Sequence, residues 1–125
     1  MQGLGELEAV VMDSLWRRDA AMRVRDVRDA MVSEREFAYT TVMTVLENLH
    51  RKHWVTRERI GRAYWYLPAR TREEAAAAAL RAVLVSTGDP AGVLLHFAKG
   101  ASDDESKVLA RGLRERADET GEASV

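Results

Sequence analysis

The chain has 125 residues, enough for one globular domain or two small sub-domains, and 46% of them are hydrophobic, so a core is available. Its formal net charge of −1 gives no overall basicity, and the absence of cysteine excludes disulfides, thiolate zinc sites and cysteine nucleophiles. No apolar run approaches the ~20 residues of a membrane-spanning helix and no secretory leader is visible, so we expect a cytoplasmic protein without direct membrane binding.

The charge is unevenly distributed along the chain. Residues 1–70 hold 12 Lys and Arg against 10 Asp and Glu, whereas residues 71–125 hold 7 against 10. A slightly basic part followed by an acidic part suggests that the two have different roles.

Three short amphipathic helices are predicted first. Apolar residues recur three, four and seven positions apart, which places them on one face of a helix. The predicted stretches are residues 6–17, 24–32 and 37–54. In the third, "FAYTTVMTVLENLHRKHW", the apolar face consists of Val42, Val45, Leu46 and Leu49.

The period changes at Trp54, where "WVTRERIGRAYWYLP" is rich in aromatic and β-branched residues. This stretch predicts a β-hairpin that turns near Gly61 and ends at Pro68. Three helices followed by a hairpin is the order of a winged helix-turn-helix, so residues 1–70 are predicted to form such a domain.

Residues 71–125 are predicted to be helical throughout. Thr71 with Glu74, and Ser102 with Glu105, form two capping boxes, and a helix that starts at Asp89–Pro90 ends at Gly100. The last helix is expected to reach about Asp118, and the tail "ETGEASV" is expected to fray. The fold class is therefore mostly α with a small β-hairpin.

The polar face of the third helix is a candidate DNA-reading surface. Short threonine side chains near its start allow close approach to the major groove, and asparagine and arginine can contact adenine and guanine, respectively. A polar helix face is usually only solvated, and Glu47 would repel phosphates, but the basic hairpin beside it favours DNA. The candidate DNA-binding residues are Tyr39, Thr40, Thr41, Met43, Thr44, Asn48, Arg51 and Lys52 of the helix and Arg57, Arg59 and Arg62 of the hairpin.

The stretches "LGELEAVVMDSLW", "VRDVRDAM", "YTTVMTVLENLHRKHWV" and "GRAYWYLP" together resemble the penicillinase-repressor (BlaI/MecI) family of bacterial transcription regulators. The resemblance implies a winged-helix DNA-binding domain followed by a three-helix dimerisation domain in residues 71–125. It also implies a homodimer that represses antibiotic-resistance or other stress genes from a palindromic operator. A membrane-bound sensor metalloprotease system that leads to repressor cleavage is a further implied partner, and no cofactor is implied.

Three positions depart from that family's pattern. Arg23 stands where a Thr or Ser cap is usual, and it cannot accept from helical N–H groups. Asn48 stands where many members have Arg, which affects the expected operator sequence. His53 stands where the helix usually ends with Gly, so a positive φ there would cost energy.

The apolar residues of the tail are candidates for the dimer interface, because about 55 residues on three short helices are near the limit for burying a private core. They are Leu80, Val83, Leu84, Val93, Leu94, Phe97, Leu109 and Leu113. "VLLHF" corresponds to the family's cleavage segment, which puts the candidate scissile bond between His96 and Phe97.

Other functional classes fit the sequence less well. His50 and His53 lack a nearby carboxylate ligand, so no metal site is predicted. No phosphate loop, serine elbow or cysteine supports an enzyme. The main alternative is a winged-helix protein-interaction module without sequence-specific DNA binding, since that fold also mediates protein contacts.

Overall fold

The computed structural model describes residues 3–32 and 35–123, which fall into two compact units that divide between Leu80 and Arg81. The described part contains six helices and two strands. They are α1 (Glu6–Arg17), α2 (Val24–Ala30), α3 (Tyr39–Arg51), β1 (Val55–Ile60), β2 (Ala63–Pro68), α4 (Arg72–Ser86), α5 (Pro90–Lys99) and α6 (Asp103–Ala123). None of the described helices is both long enough and apolar enough to cross a membrane.

The first unit is a winged helix-turn-helix, which confirms the predicted fold. The apolar faces of α1, α2 and α3 meet in one core, and the hairpin adds Val55 and Tyr66 to it. The predicted comb of α3 is buried at all four positions, so this helix is held by one face and leaves the other in solvent. The core consists of Val11, Met12, Leu15, Met22, Val24, Val27, Val42, Val45, Leu46, Leu49, Val55 and Tyr66.

The hairpin turns where the sequence predicts. Ile60 pairs with Ala63, so only two residues form the loop, and Gly61 supplies the positive φ of +65° that such a loop requires. Met22, in the α1–α2 connection, exchanges both backbone hydrogen bonds with Tyr66, at 3.0 and 2.8 Å. The helices and the hairpin are thus joined by backbone pairing as well as by packing.

Helix α2 is shorter than predicted. The expected helix over residues 24–32 ends at Ala30, and Met31 has extended backbone with ψ of 127°. The guanidinium of Arg17 on α1 donates to the Ala30 carbonyl at 3.0 Å, which satisfies a carbonyl at the helix end. Met31 then packs against the core from outside the helix.

Helix α3 ends in a Schellman motif with histidine at the left-handed position. Trp54 N–H donates to the Leu49 carbonyl at 2.9 Å, and His53 N–H donates to the His50 carbonyl at 3.1 Å. His53 has φ of +66°, the conformation expected at the position where the family usually has glycine. A side chain with a Cβ costs about 1–2 kcal/mol in this conformation.

The helix starts in residues 71–123 follow the predicted caps. Glu74 N–H donates to Thr71 Oγ1 at 3.0 Å, and Glu105 N–H donates to Ser102 Oγ at 3.1 Å, with the reciprocal bonds present in both boxes. Asp89 accepts from Gly92 N–H and Pro90 begins α5, which ends at Gly100.

The expected end of the last helix near Asp118 is wrong. Helix α6 continues to Ala123, and only Ser124 and Val125 of the expected frayed tail lie outside the described residues. The tail's glycine, Gly121, costs a helix only about 1 kcal/mol relative to alanine, and no proline stops the helix.

The first turn of α4 belongs to the first unit. Arg72 lies 2.8 Å from the Asp13 carboxylate and its guanidinium is 5.5 Å from the Trp16 ring centroid. Trp16 Nε1 donates to the Arg70 carbonyl at 3.0 Å, and Ala75 is buried. The compact unit therefore extends past the predicted domain end at residue 70.

Candidate nucleic-acid interface

The solvent side of α3 carries the side chains predicted to read DNA. Tyr39, Thr40, Thr41 and Thr44 are exposed, and Met43 and Asn48 are half-buried. The Thr44 hydroxyl donates to the Thr40 carbonyl at 3.0 Å, which fixes its oxygen as an outward acceptor. Ala38 starts the helix without a side-chain cap, and Thr41 N–H donates to the Ala38 carbonyl at 3.1 Å, so the N–H groups of Tyr39 and Thr40 are the ones that can meet an external acceptor.

The three arginines of the hairpin make different contacts. The Arg57 guanidinium stacks on Tyr64, 4.1 Å from the ring centroid. Arg59 Nε donates to the Gly61 carbonyl at 3.3 Å, and Arg62 is exposed in the turn. None of these contacts neutralises the positive charge, because a ring face and a carbonyl are uncharged partners.

Two grooves bring α3 and the hairpin together. One lies between α2, α3 and β2, where Tyr39, Met43 and Glu47 of α3 face Arg62 and Tyr64. The other, at the C-terminal end of α3, brings Arg51 close to Arg57. Each groove thus brings at least one predicted residue of α3 next to a predicted arginine of the hairpin.

Arg25 is a candidate that sequence reasoning missed. It is exposed on α2 and lines the same groove as Tyr39, Glu47 and Arg62. In helix-turn-helix proteins the first helix of the motif crosses the DNA backbone, so a basic residue at the start of α2 was the signal that could have identified it.

Lys52 lies in a different environment from the other candidates. Its ammonium is 2.8 Å from Glu8 Oε1 and 3.4 Å from the Gly3 carbonyl. This hydrogen bond holds the pKa of Glu8 below its ordinary value, with a smaller contribution from the Gly5 N–H. Lys52 is therefore engaged by an ion pair within the first unit.

Asn48 and Arg51 are in direct contact. The Arg51 guanidinium donates to Asn48 Oδ1 one helical turn earlier. Positions three apart are neighbours on the surface of a helix, so the bond links side chains on the same side of α3.

Arg23, the unusual residue at the start of α2, is stabilised by a different arrangement. Its guanidinium donates to both carboxylate oxygens of Asp26, at 2.9 and 3.2 Å, and lies 4.9 Å from the Trp65 ring centroid. Asp26 also accepts from the Arg23 backbone N–H at 2.9 Å. These bonds lower the pKa of Asp26 and raise that of Arg23, so the missing hydroxyl cap is replaced by an ion pair.

The predicted dimer side chains lie on α4, α5 and α6. Leu84 and Val93 are half-buried, whereas the other six are exposed. Phe97 is 57% exposed, and His96 precedes it within α5, so the candidate scissile bond is in a helix. Across residues 3–32 and 35–123, no group of three or more His, Asp or Glu could hold a metal ion.

A family model described as penicillinase repressor matches residues 4–115. The chain is 40% identical over 115 residues to the transcriptional regulator BlaI of Mycobacterium tuberculosis, in strains CDC 1551 / Oshkosh and H37Rv. That match covers 90% of this chain and 83% of the relative.

Two solved structures are also similar. A structure described as a CopR repressor is 29% identical, with a TM-score of 0.45, and the match covers 53% of this chain and 94% of that one. FabT of Streptococcus pneumoniae, solved in complex with DNA, is 18% identical, with a TM-score of 0.47, over 98% of this chain and 79% of that one.

Proposed function

The chain belongs to the penicillinase repressor family of transcriptional regulators, and we propose that it represses transcription by binding a palindromic operator as a homodimer. Regulators of this family are not enzymes. The observation that carries the proposal is the arrangement of α3, which is fixed to the core by Val42, Val45, Leu46 and Leu49 while its polar face adjoins the basic hairpin.

In the proposed complex, α3 lies in the major groove. Thr40, Thr41 and Thr44 have short side chains, which let the start of the helix approach base edges closely. The uncapped N–H groups of Tyr39 and Thr40 and the helix dipole favour a phosphate at that end.

The hairpin and α2 contact the DNA backbone on either side of the groove that α3 enters. Arg59 and Arg62 extend from the hairpin turn, and Arg25 approaches from α2. Because contacts to phosphate carry no sequence information, these arginines contribute affinity and orientation, and the α3 side chains contribute base preference.

A second copy of the chain covers the apolar side chains of the tail. Leu80, Leu94 and Leu113 are each more than half exposed. Burying apolar surface in an interface is favourable by about 25 cal/mol per Å². A two-fold dimer places two heads on two half-sites, and the second head then binds at high effective concentration.

Loss of the dimer is the proposed route to derepression. A sensor metalloprotease system would lead to cleavage between His96 and Phe97, which separates the heads and removes the gain from bivalent binding. Since this bond lies within α5, the helix must unwind locally before a protease can bind it in extended form. Mass spectrometry of the chain from β-lactam-treated cells tests this step, and an intact chain while target genes are switched on would contradict it.

A gel shift with salt titration separates this function from that of a protein-interaction module. The DNA upstream of the chain's own gene is compared with a scrambled fragment of equal length. A repressor binds the upstream fragment at least about 10³-fold more tightly than the scrambled one, and both affinities fall with salt. A protein-interaction module binds neither fragment with preference.

A further inference from the structure

The contact between Asn48 and Arg51 limits what each side chain can recognise. Asparagine reads adenine by accepting a hydrogen bond at its side-chain oxygen and donating one from its amide nitrogen. In this structure the Asn48 oxygen already accepts from the Arg51 guanidinium. One of the two acceptor lone pairs of the Asn48 oxygen is thus used within the protein, and the bond holds the guanidinium of Arg51 in place.

Arg51 presents hydrogen-bond donors only. The N–H groups of Arg51 that do not contact Asn48 are all donors, because guanidinium has no acceptor. In the major groove, guanine offers two acceptors, N7 and O6, whereas adenine and cytosine each present an amine. A side chain with donors alone, such as Arg51, favours guanine and disfavours bases with an amine at that position.

Arg51 also keeps its positive charge. Its contact with Asn48 is uncharged, while the adjacent Lys52 is paired with Glu8. Arginine has several rotatable bonds, and a hydrogen bond to a half-buried neighbour restricts them before DNA arrives. Restriction in the free protein reduces the conformational entropy that is lost on binding.

We propose that Asn48 is a positioning residue that orients Arg51, and that Arg51 reads a guanine in each operator half-site. This inference rests on the proposed function and deepens it, because it names the base class and assigns the reading to Arg51.

The test is selection of binding sites from a random pool of double-stranded DNA by the full-length protein, followed by affinity measurements on single-base variants of the selected site. Wild type is compared with Arg51→Ala, Asn48→Ala, Asn48→Asp and the Asn48→Ala/Arg51→Ala double variant. Asn48→Asp is the matched conservative change, because a carboxylate still accepts from Arg51 but cannot donate to adenine N7. Circular dichroism melting checks that each variant is folded.

The proposal expects Arg51→Ala to abolish a guanine preference of about 5- to 150-fold at one position of each half-site. Asn48→Ala weakens the preference at that same position, Asn48→Asp retains it within about 2-fold although it lowers total affinity, and the double variant is no less selective than Arg51→Ala.

Two results overturn the inference in distinguishable ways. Asn48 reads a base independently if Asn48→Ala and Asn48→Asp both lose an adenine preference at a second position. In that case the losses of selectivity from Asn48→Ala and Arg51→Ala multiply in the double variant. If wild type itself selects no motif, the proposed function fails and this inference fails with it.

Discussion

The ammonium of Lys52 lies 2.8 Å from Glu8 Oε1, so the C-terminal end of α3 is tied to the first turn of α1. Glu8 also accepts from the Gly5 N–H at 2.8 Å, and its side chain is only 13% exposed. A lysine that the sequence groups with the DNA contacts is thus part of the link between two helices.

Lys52→Ala is expected to lower stability by up to about 1 kcal/mol, because it leaves a mostly covered carboxylate without its ion-pair partner. Its effect on DNA binding should be small, since the charge is already paired. Denaturant unfolding and a salt-titrated binding curve measure the two quantities. A reduced salt slope with unchanged stability would place Lys52 in the DNA interface.

The same ion pair predicts a response to acid. Since Lys52 lowers the pKa of Glu8 in the folded protein, the unfolded chain binds the proton more tightly, and stability rises with pH. The contribution is complete above the ordinary value of 4.5 and is lost as the pH falls through the lower folded value. Glu8→Gln should therefore flatten the loss of unfolding free energy below about pH 5. Glu6→Gln, a change at an exposed position on the same helix, is the control. It should not flatten the pH dependence of the unfolding free energy as Glu8→Gln does.

Arg62 is expected to act through phosphate. Arg62→Ala should weaken binding to all sequences by similar factors and lower the slope of log affinity against log salt by about 0.9, the value for one phosphate contact on duplex DNA. The Lys52→Ala variant is the matched control in the same titration. An unchanged slope for Arg62→Ala would remove it from the interface.

His53→Gly should raise the free energy of unfolding by about 0.5–1 kcal/mol. Glycine relieves the strain of the left-handed conformation, and the greater entropy of the unfolded chain offsets part of that gain. His53→Ala is the control, because it removes the imidazole but keeps the Cβ and so should give no gain. Thermal and denaturant unfolding measure both. Equal gains in the two variants would trace the effect to the imidazole.

Leu84→Asp should convert the proposed dimer to a monomer, since a charge at a covered apolar position costs several kcal/mol. Ala82→Asp adds the same charge at an exposed position on the opposite side of α4. Sedimentation equilibrium reports the mass of each variant. A dimer that survives Leu84→Asp while wild type is dimeric would place the interface elsewhere.

Local signals in the sequence were sufficient for the elements of this fold. The spacing of Val42, Val45 and Leu49 identifies the buried side of α3, and Thr71 with Glu74 identifies the start of α4. These patterns act over one or two helical turns, so the residues that determine the structure are adjacent in the sequence.

The interactions that the sequence did not reveal join distant residues. Lys52 and Glu8 are 44 positions apart, and the same numerical separation relates the backbone partners Tyr66 and Met22. The end of α2 likewise depends on Arg17 from another helix. Which of several exposed cations finds a carboxylate depends on how helices pack, and helical periodicity alone does not specify that geometry.

The most direct test of the account is the salt-titrated gel shift of the full-length chain on the DNA upstream of its own gene. The account predicts one retarded species that contains two protein chains, a preference of at least about 10³-fold over scrambled DNA, and a reduced preference with Arg51→Ala. Equal affinity for the two fragments, or binding by a single chain at full selectivity, would contradict it.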